Sequence, residues 1–466
     1  MNFKAIILAA GKGTRMKSKN PKVVHKVCGK EMVNHVIDIS NKSGVNDVVV
    51  VLGHGSETVK NVIPEECIVV MQEEQLGTGH AVKMAKDSIN DDDTIVVLCG
   101  NTPLIEEDTL KKLFAYHLEN EYMATVLTTK VDDPTGYGRV IRDAEGNFSR
   151  IVEQKDANEE ELAVNEINSG IYCFKGDKLK EALELLDNNN AQGEYYLTDT
   201  MKIIKDKGSK VGAFVGATIE ELMDVNSRVQ LSQAEAIMRK RINKKHMENG
   251  VTIINPENTY IESNVQIGKD TIVEPGVMLK GNTVIGEECI IGMNSSITNS
   301  KIGNFTEVKI STIIDSAVGE NTTVGPYAYL RPKSNVGSHV KIGDFVEVKN
   351  ANIGDYSKAS HLSYIGDADV GEHVNIGCGV VFVNYDGKFK YRSKVEDHAF
   401  IGSNSNLVAP VHVEYKGYIA TGSTITDDVP DGALAIARQR QVVKNGWVAK
   451  KEARDAAKEA AKENKK

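Results

Sequence analysis

The feature that most constrains this chain is a six-residue rhythm in its second half. An apolar residue returns at Ile261, Ile267, Val273, Leu279, Ile285, Ile291 and Ile297, again at Val324, Leu330, Val336, Ile342 and Val348, and again at Ile401, Leu407, Val413, Ile419 and Ile425. A helix, with 3.6 residues per turn, cannot keep that period on one face. Glycine commonly follows the apolar residue, as in Ile267-Gly268, Ile285-Gly286, Val336-Gly337, Ile342-Gly343, Ile365-Gly366, Ile376-Gly377 and Ile401-Gly402. The pattern reads as hexapeptide repeats of a parallel β-helix. Each flat side is one short strand with one apolar residue inward, small or φ-permissive residues turn the corners, and three hexapeptides close a triangular coil. One coil cannot bury its apolar residues alone, so stacking supplies the core. The segment Asn384 to Asp397 breaks the period, and such loops reach out to a neighbour or a ligand.

The first half has another texture. Short β-branched runs alternate with amphipathic stretches, the pattern of parallel strands joined by helices. Strands are expected at Ala5 to Leu8, Val48 to Leu52, Ile68 to Met71, Thr94 to Leu98 and Ala124 to Thr129. In such α/β sheets, Rossmann-like in layout, ligands collect at the carboxyl ends of the strands, in loops like Ala9 to Met16. Between the halves, Asn226 to Asn249 reads as a polar helix with Leu231, Ala234, Met238 and Ile242 on one side and Gly250 as its stop. At 466 residues the chain exceeds what one core usually supports. The expected division is residues 1–226, a linker helix 227–250, a β-helix 251–449, and a charged tail 450–466. That tail, with Asp455/Lys458 and Glu459/Lys462 at i,i+3 spacing, reads as a solvated helix without chemistry.

Composition narrows the partners. A net charge of −9 gives no electrostatic footprint for nucleic acid. The six cysteines, Cys28, Cys67, Cys99, Cys173, Cys289 and Cys378, form no CxxC pair and no zinc-like cluster, and fit reduced thiols. The apolar run Ala5 to Ala10 is too short for a secretory signal, and no stretch approaches bilayer-spanning length. The expectation is a cytoplasmic protein without a membrane partner.

The first strand runs directly into Gly11-Lys12-Gly13-Thr14-Arg15-Met16. Backbone amides freed by the glycines can wrap phosphate, with Lys12 and Arg15 adding charge. The GK[ST] ending of a Walker loop is missing, and Met16 stands where a dinucleotide fingerprint has its third glycine. Taken alone, the turn is equally compatible with ordinary turn chemistry.

The surrounding segments distinguish it: Leu8-Ala-Ala-Gly-Lys-Gly-Thr-Arg-Met16, Pro21-Lys22, Gln75-Leu-Gly-Thr-Gly-His-Ala81, Gly136-Tyr-Gly-Arg139, Ile151-Val-Glu-Gln-Lys155, Glu166-Ile-Asn-Ser-Gly170 and Val225-Asn226. The set resembles the sugar-nucleotide pyrophosphorylases. With the hexapeptide half, nearly the whole chain resembles the bifunctional N-acetylglucosamine-1-phosphate uridylyltransferase/glucosamine-1-phosphate acetyltransferases. The resemblance implies a nucleotidyltransferase domain followed by a left-handed parallel β-helix. It also implies a homotrimer with acyl sites shared between subunits, and a product, UDP-N-acetylglucosamine, that feeds cell-wall synthesis.

By the same resemblance, Leu8, Ala9, Gly11, Gln72, Gly77 and Thr78 bind uracil and ribose, Arg15 and Lys22 hold the triphosphate and act in catalysis, and Gly138, Glu153 and Asn168 hold N-acetylglucosamine-1-phosphate. Mg²⁺ is implied at Asn101 and Asn226. Here the chain departs from the family, whose stretch Gly-Asp-x-Pro-Leu is Gly100-Asn101-Thr102-Pro103-Leu104 in this sequence. A neutral amide holds a hard cation less well than a carboxylate, so impaired uridylyl transfer is expected.

In the second half His361 lies at a break of the rhythm, where a side chain can point outward and an imidazole can accept an amine proton. The resemblance makes it the base of acetyl transfer. Arg331, Lys349, Tyr364 and Asn375 match sugar-phosphate positions, with Arg331 and Lys349 suited to clamp a phosphomonoester. Asn384 and Tyr385, which open the period-breaking loop, match active-site positions on the acetyl-CoA side, where Ser403, Thr421 and Arg438 also fall and Cys378 lines the cleft or fills space. The implied substrates are UTP, N-acetylglucosamine-1-phosphate, glucosamine-1-phosphate and acetyl-CoA. Two other readings remain open: a nucleotidyltransferase whose β-helix only oligomerises or regulates, and a structural or binding protein.

Overall fold

The computed structural model describes residues 2–463, and the chain divides into two units, 1–283 and 284–466. The sheet of the first unit is built from β1 (Phe3–Ala9), β2 (Asp47–Leu52), β3 (Ile68–Met71), β4 (Thr94–Cys99), β5 (Ala124–Lys130), β6 (Arg139–Arg142), β7 (Phe148–Val152), β8 (Glu166–Lys175) and β9 (Val211–Val215). Its order is β9-β5-β8-β4-β1-β2-β3, with β6 paired to β8 and β7 to β6. The five expected strands form with ends extended by at most two residues.

The five expected strands run parallel to one another, and the sheet also holds β8, which runs antiparallel to both β4 and β5 in its interior. Its Ile171-Tyr172-Cys173-Phe174 run is buried throughout, which seats it centrally. The chain enters it from the antiparallel β6–β7 pair. A register shift between Asn168 and Tyr172 marks a bulge, on both sides of which β8 stays paired with β5. Apolar residues cover both sheet faces. Val33, Val36 and Ile37 from helix Met32–Lys42 pack with Leu110, Leu113 and Phe114 of helix Glu107–Glu119 on one side. Helices Thr78–Met84, Gly176–Leu183 and Thr198–Asp206 supply the other.

Helix Arg228–Glu248 follows the sheet domain. Ser227 caps it by accepting the Gln230 amide at 3.2 Å, and Gly250 takes φ 94° just past its end. Ala234 is buried in a cluster with Val27, Met32, Leu104 and Val225, to which Leu231 and Met238 add.

In the second unit short strands stack in parallel into three sheets, as in Ile290–Ile291 on Glu307–Val308, Ser296–Thr298 on Thr312–Ile314 and Val284–Ile285 on Lys301–Ile302. This is the left-handed hexapeptide β-helix the rhythm requires. The apolar positions of the three registers are buried, except Ile267 in the first unit, which is half-buried. The corners differ from expectation: positive φ falls on Tyr327 (57°), Phe345 (56°), Tyr356 (61°) and His373 (54°) as well as on small residues. A left-handed L-residue costs roughly 1–2 kcal/mol. Stacking on the next coil offsets it, with ring centroids 5.3 Å apart for Tyr327–Phe345 and 4.8 Å for Tyr356–His373.

The period-breaking loop is shorter than Asn384 to Asp397. Ser393–Val395 already pairs with Ala368–Val370, because Ser393 and Val395 are buried at 1% exposure and pull the chain back into the stack. The tail forms helix Trp447–Glu463, where the ion pair that joins Asp455 to a lysine is with Lys451 at 3.1 Å rather than Lys458. The remainder of the tail reading, residues 464–466, lies outside the described residues. All six cysteines are free thiols. Among the described residues no helix is long and apolar enough to cross a membrane.

Candidate active sites

β1 delivers its carboxyl end to Gly11–Met16. Gly13 takes φ 61°, and a Cβ there would stand 2.8 Å from Lys22 Cβ, so the turn and Lys22 are fitted to each other. Gln72, 3% exposed, is fixed by its amide nitrogen donating to Gly77 O at 3.1 Å and contacting His80 Nδ1 at 3.1 Å. Gly77, at φ 115°, leaves no room for a side chain against Tyr195 O. Thr78 opens a helix, its Oγ1 accepting the Leu197 amide at 3.1 Å. Leu8 and Ala9 are the last two residues of β1.

Opposite, the Asn168 amide donates to Gly138 O at 2.9 Å, and Asn168 Oδ1 accepts from Gly170 N and Tyr172 Oη, each at 3.0 Å. Glu153 approaches within 3.2 Å of where a Gly138 Cβ would lie. The three residues assigned to one sugar are thus brought together. Burial raises the Glu153 carboxyl above its usual range, and Asp156 and Asp199 add to this.

Lys22 donates to Asn226 Oδ1 at 2.9 Å. Burial lowers its ammonium below the ordinary lysine value against the pull of Asp224. Burial likewise raises the Asp224 carboxyl, opposed by Lys22 and Arg15. Asn101, 4% exposed, points its amide at Asp224 Oδ1 and Val225 O, both at 3.4 Å. Asp224 went unread in the sequence, although it stands two residues before Asn226. The oxygen donors suit Mg²⁺: the Asp224 carboxylate and Asn226 Oδ1, the latter already accepting from a cation, lie on one segment, with the Asn101 amide beside Asp224. Such sites complete Mg²⁺ coordination with substrate phosphates and water. Among the described residues no group of three or more His, Cys, Asp or Glu side chains could hold a metal.

In the β-helix, strand Lys358–His361 carries His361 and the next strand, Tyr364–Gly366, opens with Tyr364. The imidazole is 60% exposed, outside the apolar interior, and its Nδ1 meets Asp344 Oδ1 at 2.7 Å. That bond holds the Asp344 carboxyl below its usual range. Arg331 follows strand Tyr329–Leu330 and Lys349 ends the strand paired with it, Glu347–Lys349, one rung apart. Arg331 Nη1 donates to Glu347 Oε1 at 2.8 Å, and Lys349 Nζ to Asp367 at 3.0 and 3.2 Å. Asn384 donates to Tyr364 Oη at 3.3 Å and to Asp367, tying the insertion to the same cluster.

The carboxylates Asp344, Glu347 and Asp367 were missed in the sequence. The available signal was their separation of 16 to 18 residues, about one coil, from His361, Arg331 and Lys349. Ser403 and Thr421 occupy one corner column: a Cβ on Gly377 would meet Ser403 N, one on Gly402 would meet Thr421 N, and one on Gly422 would lie 3.7 Å from Arg438 Cδ. Cys378, exposed, accepts the Asn404 amide at 2.7 Å beside that column. Tyr385 bonds within its own loop, to Gly387 O at 2.6 Å. Asn375 faces solvent, paired to Lys358 and Phe400 strands, and is not drawn into the ion-pair cluster.

Two separate families account for the two textures. Residues 4–227 match the nucleotidyl transferase family model. Residues 258–299 match the bacterial transferase hexapeptide model of six repeats, and residues 393–427 the hexapeptide repeat of succinyl-transferase. The fold and sites define a nucleotidyltransferase joined in one chain to a hexapeptide-repeat transferase.

Whole-length relatives narrow this further. Bifunctional protein GlmU of Clostridioides difficile (strain 630) is 75% identical over 455 residues, 98% of this chain and 99% of that protein. The proteins of the same name from Alkaliphilus oremlandii (strain OhILAs) and Alkaliphilus metalliredigens (strain QYMF) are 63% and 58% identical, each over 97% of this chain and 99% of theirs. The chain belongs to the bifunctional GlmU family, and it is a bifunctional enzyme with a nucleotidyltransferase and an acyltransferase activity.

Proposed function

We propose that the β-helix acetylates glucosamine-1-phosphate with acetyl-CoA, and that the α/β domain joins the resulting N-acetylglucosamine-1-phosphate to UMP from UTP. The functional division at residues 1–226, 227–250, 251–449 and 450–466 belongs to this reading, as do a cytoplasmic location and a homotrimer that completes the acyl site. Symmetric association is the ordinary route for such a surface.

In the acyl site Asp344 accepts a hydrogen bond from the Nδ1–H of His361, which leaves Nε2 free to take a proton from the substrate amine. The amine nitrogen then bonds to the thioester carbon, the C–S bond breaks, and the thiolate of coenzyme A leaves and is protonated. Arg331 and Lys349 hold the sugar phosphate, their carboxylates keeping them extended until it arrives. Tyr364, Asn375 and Asn384 orient the sugar, while Tyr385, Ser403, Thr421, Arg438 and Cys378 line the acetyl-CoA side.

In the uridylyl site Gln72, Gly77, Thr78, Leu8, Ala9 and Gly11 seat the nucleoside. Arg15 and Lys22 neutralise the triphosphate, and Gly138, Glu153 and Asn168 fix the sugar so that its phosphate oxygen lies in line with the α-phosphorus. A P–O bond forms there as the bond to pyrophosphate breaks, through positioning and charge neutralisation without a covalent nucleophile. Asn101 and Asn226 would hold Mg²⁺, which would supply charge neutralisation on the phosphates when bound.

The observation that carries the acetyl assignment, against a β-helix that merely oligomerises, is the outward imidazole of His361 anchored at 2.7 Å through Nδ1. His361→Ala tests it. Thiol release from acetyl-CoA and glucosamine-1-phosphate should fall by roughly 10²–10⁴-fold, while pyrophosphate release from UTP and N-acetylglucosamine-1-phosphate persists. Undiminished thiol release would refute it.

A further inference from the structure

We propose that Asp224 provides the anionic oxygen for the divalent cation of the uridylyl site, the role left vacant by the neutral side chain of Asn101. The inference rests on the uridylyltransferase reading and assigns to it a residue outside the motifs that led to it.

Three observations converge. Asn101 follows β4 directly, and its amide nitrogen lies 3.4 Å from Asp224 Oδ1, so this carboxylate occupies the immediate surroundings of the position where a cation ligand is expected. The placement is fixed by the backbone: the Val225 amide donates to Asn101 O at 3.0 Å, clamping residues 224–226 beside the end of β4. Asn226 Oδ1, on the same segment, accepts the Lys22 ammonium at 2.9 Å, so its oxygen already serves a positive charge. Asp224 has no ion-pair partner within 4.0 Å among the described residues. A carboxylate held beside the Asn101 amide, on the segment that carries Asn226 and without a salt bridge of its own, offers the anionic oxygen that a hard cation completes with phosphate oxygens.

The arrangement also explains asparagine at 101. Two carboxylates at this separation would repel each other, whereas the Asn101 amide donates to Asp224. The site keeps one negative charge, carried from the end of β4 to the 224–226 segment. Impaired uridylyl transfer, expected from Asn101 alone, does not follow.

The test is Mn²⁺ binding to the full chain at a fixed UTP concentration, read by water-proton relaxation enhancement, which reports the ternary complex and not turnover. Asp224→Asn should weaken Mn²⁺ by about tenfold or more. Asn101→Asp in the Asp224→Asn background should restore it to within about threefold, while Asn101→Asp alone should give no gain. Mn²⁺ affinity within about twofold of the parent in Asp224→Asn would overturn the proposal. So would failure of the double variant to recover, which would assign Asp224 to packing. An unchanged chemical-denaturation midpoint of the α/β domain confirms that each variant is folded. Pyrophosphate release by the unsubstituted chain is measured alongside: its absence would refute the uridylyltransferase reading itself, whatever the Mn²⁺ comparison shows.

Discussion

The two sites manage charge in opposite ways. On the β-helix the groups assigned to the sugar phosphate and to proton transfer each have a carboxylate one coil away: His361 with Asp344, Arg331 with Glu347, Lys349 with Asp367. In the α/β domain Arg15 has no ion pair among the described residues, and Lys22 rests on a neutral amide. The difference follows from architecture. A β-helix repeats its backbone every coil, so adjacent rungs, about 4.8 Å apart, bring side chains into register and let pairs form locally. The turn after β1 has no repeat to supply partners, and its cations remain for a polyanion to satisfy. One site is preset within the chain, the other is completed by its substrate.

The sharpest way to break this contrast is Lys22→Ala. If the lysine answers only to the triphosphate, pyrophosphate release should fall by roughly 10²–10³-fold, as for loss of one preorganised charge-stabilising donor. Fluorescence-detected UTP binding should weaken with it, and thiol release should be unaffected.

Asp344→Asn should lower kcat for acetyl transfer by about tenfold, the loss of one orienting hydrogen bond to a charged group, with KM for glucosamine-1-phosphate little changed and partial recovery in Asp344→Glu. A change confined to KM would make Asp344 a substrate ligand and not a positioning residue. Because the His361 bond holds its carboxyl below the ordinary range, the acetyl rate should show no ionisation at the usual aspartate value.

Gly13→Ala should reduce uridylyl transfer by about tenfold. The substituent meets Lys22 Cβ at 2.8 Å in a left-handed turn, a strain of about 1–2 kcal/mol. Steady-state rates with saturating UTP read it.

Stability extends the comparison at the smallest scale. His117 is 2% exposed, contacts Thr125 Oγ1 at 2.9 Å, and is lowered by burial to about 4. An imidazole depressed in the folded state is neutral there while the unfolded chain takes a proton, so stability is intact above the unfolded value near 6.5 and declines as pH falls toward about 4. The full loss is on the order of 3 kcal/mol. Chemical denaturation across that interval should show it for the α/β domain, and His117→Gln should flatten the slope without altering activity at pH 7.

The β-helix was legible because a six-residue period has one structural solution, and its interior positions could be named individually. Its corners were less so: Tyr327, Phe345 and Tyr356 take left-handed backbone by stacking on neighbouring coils, a stabilisation invisible along a single repeat. The α/β strands were readable from apolar runs, but β8 was not read as a reversed central strand, since Glu166–Gly170 looks like a motif loop and strand direction is set by long-range pairing. Of the sites, the motif residues could be placed. The carboxylates Asp224, Asp344, Glu347 and Asp367 could not, because each acts across a gap in sequence that only the folded chain closes.

The most direct test of a two-reaction enzyme is a single mixture of the purified protein, glucosamine-1-phosphate, acetyl-CoA, UTP and Mg²⁺, with free thiol and pyrophosphate followed separately. The account predicts both products, the pyrophosphate trailing the thiol and disappearing when acetyl-CoA is omitted. Thiol with no pyrophosphate, or pyrophosphate formed without acetyl-CoA, would contradict it.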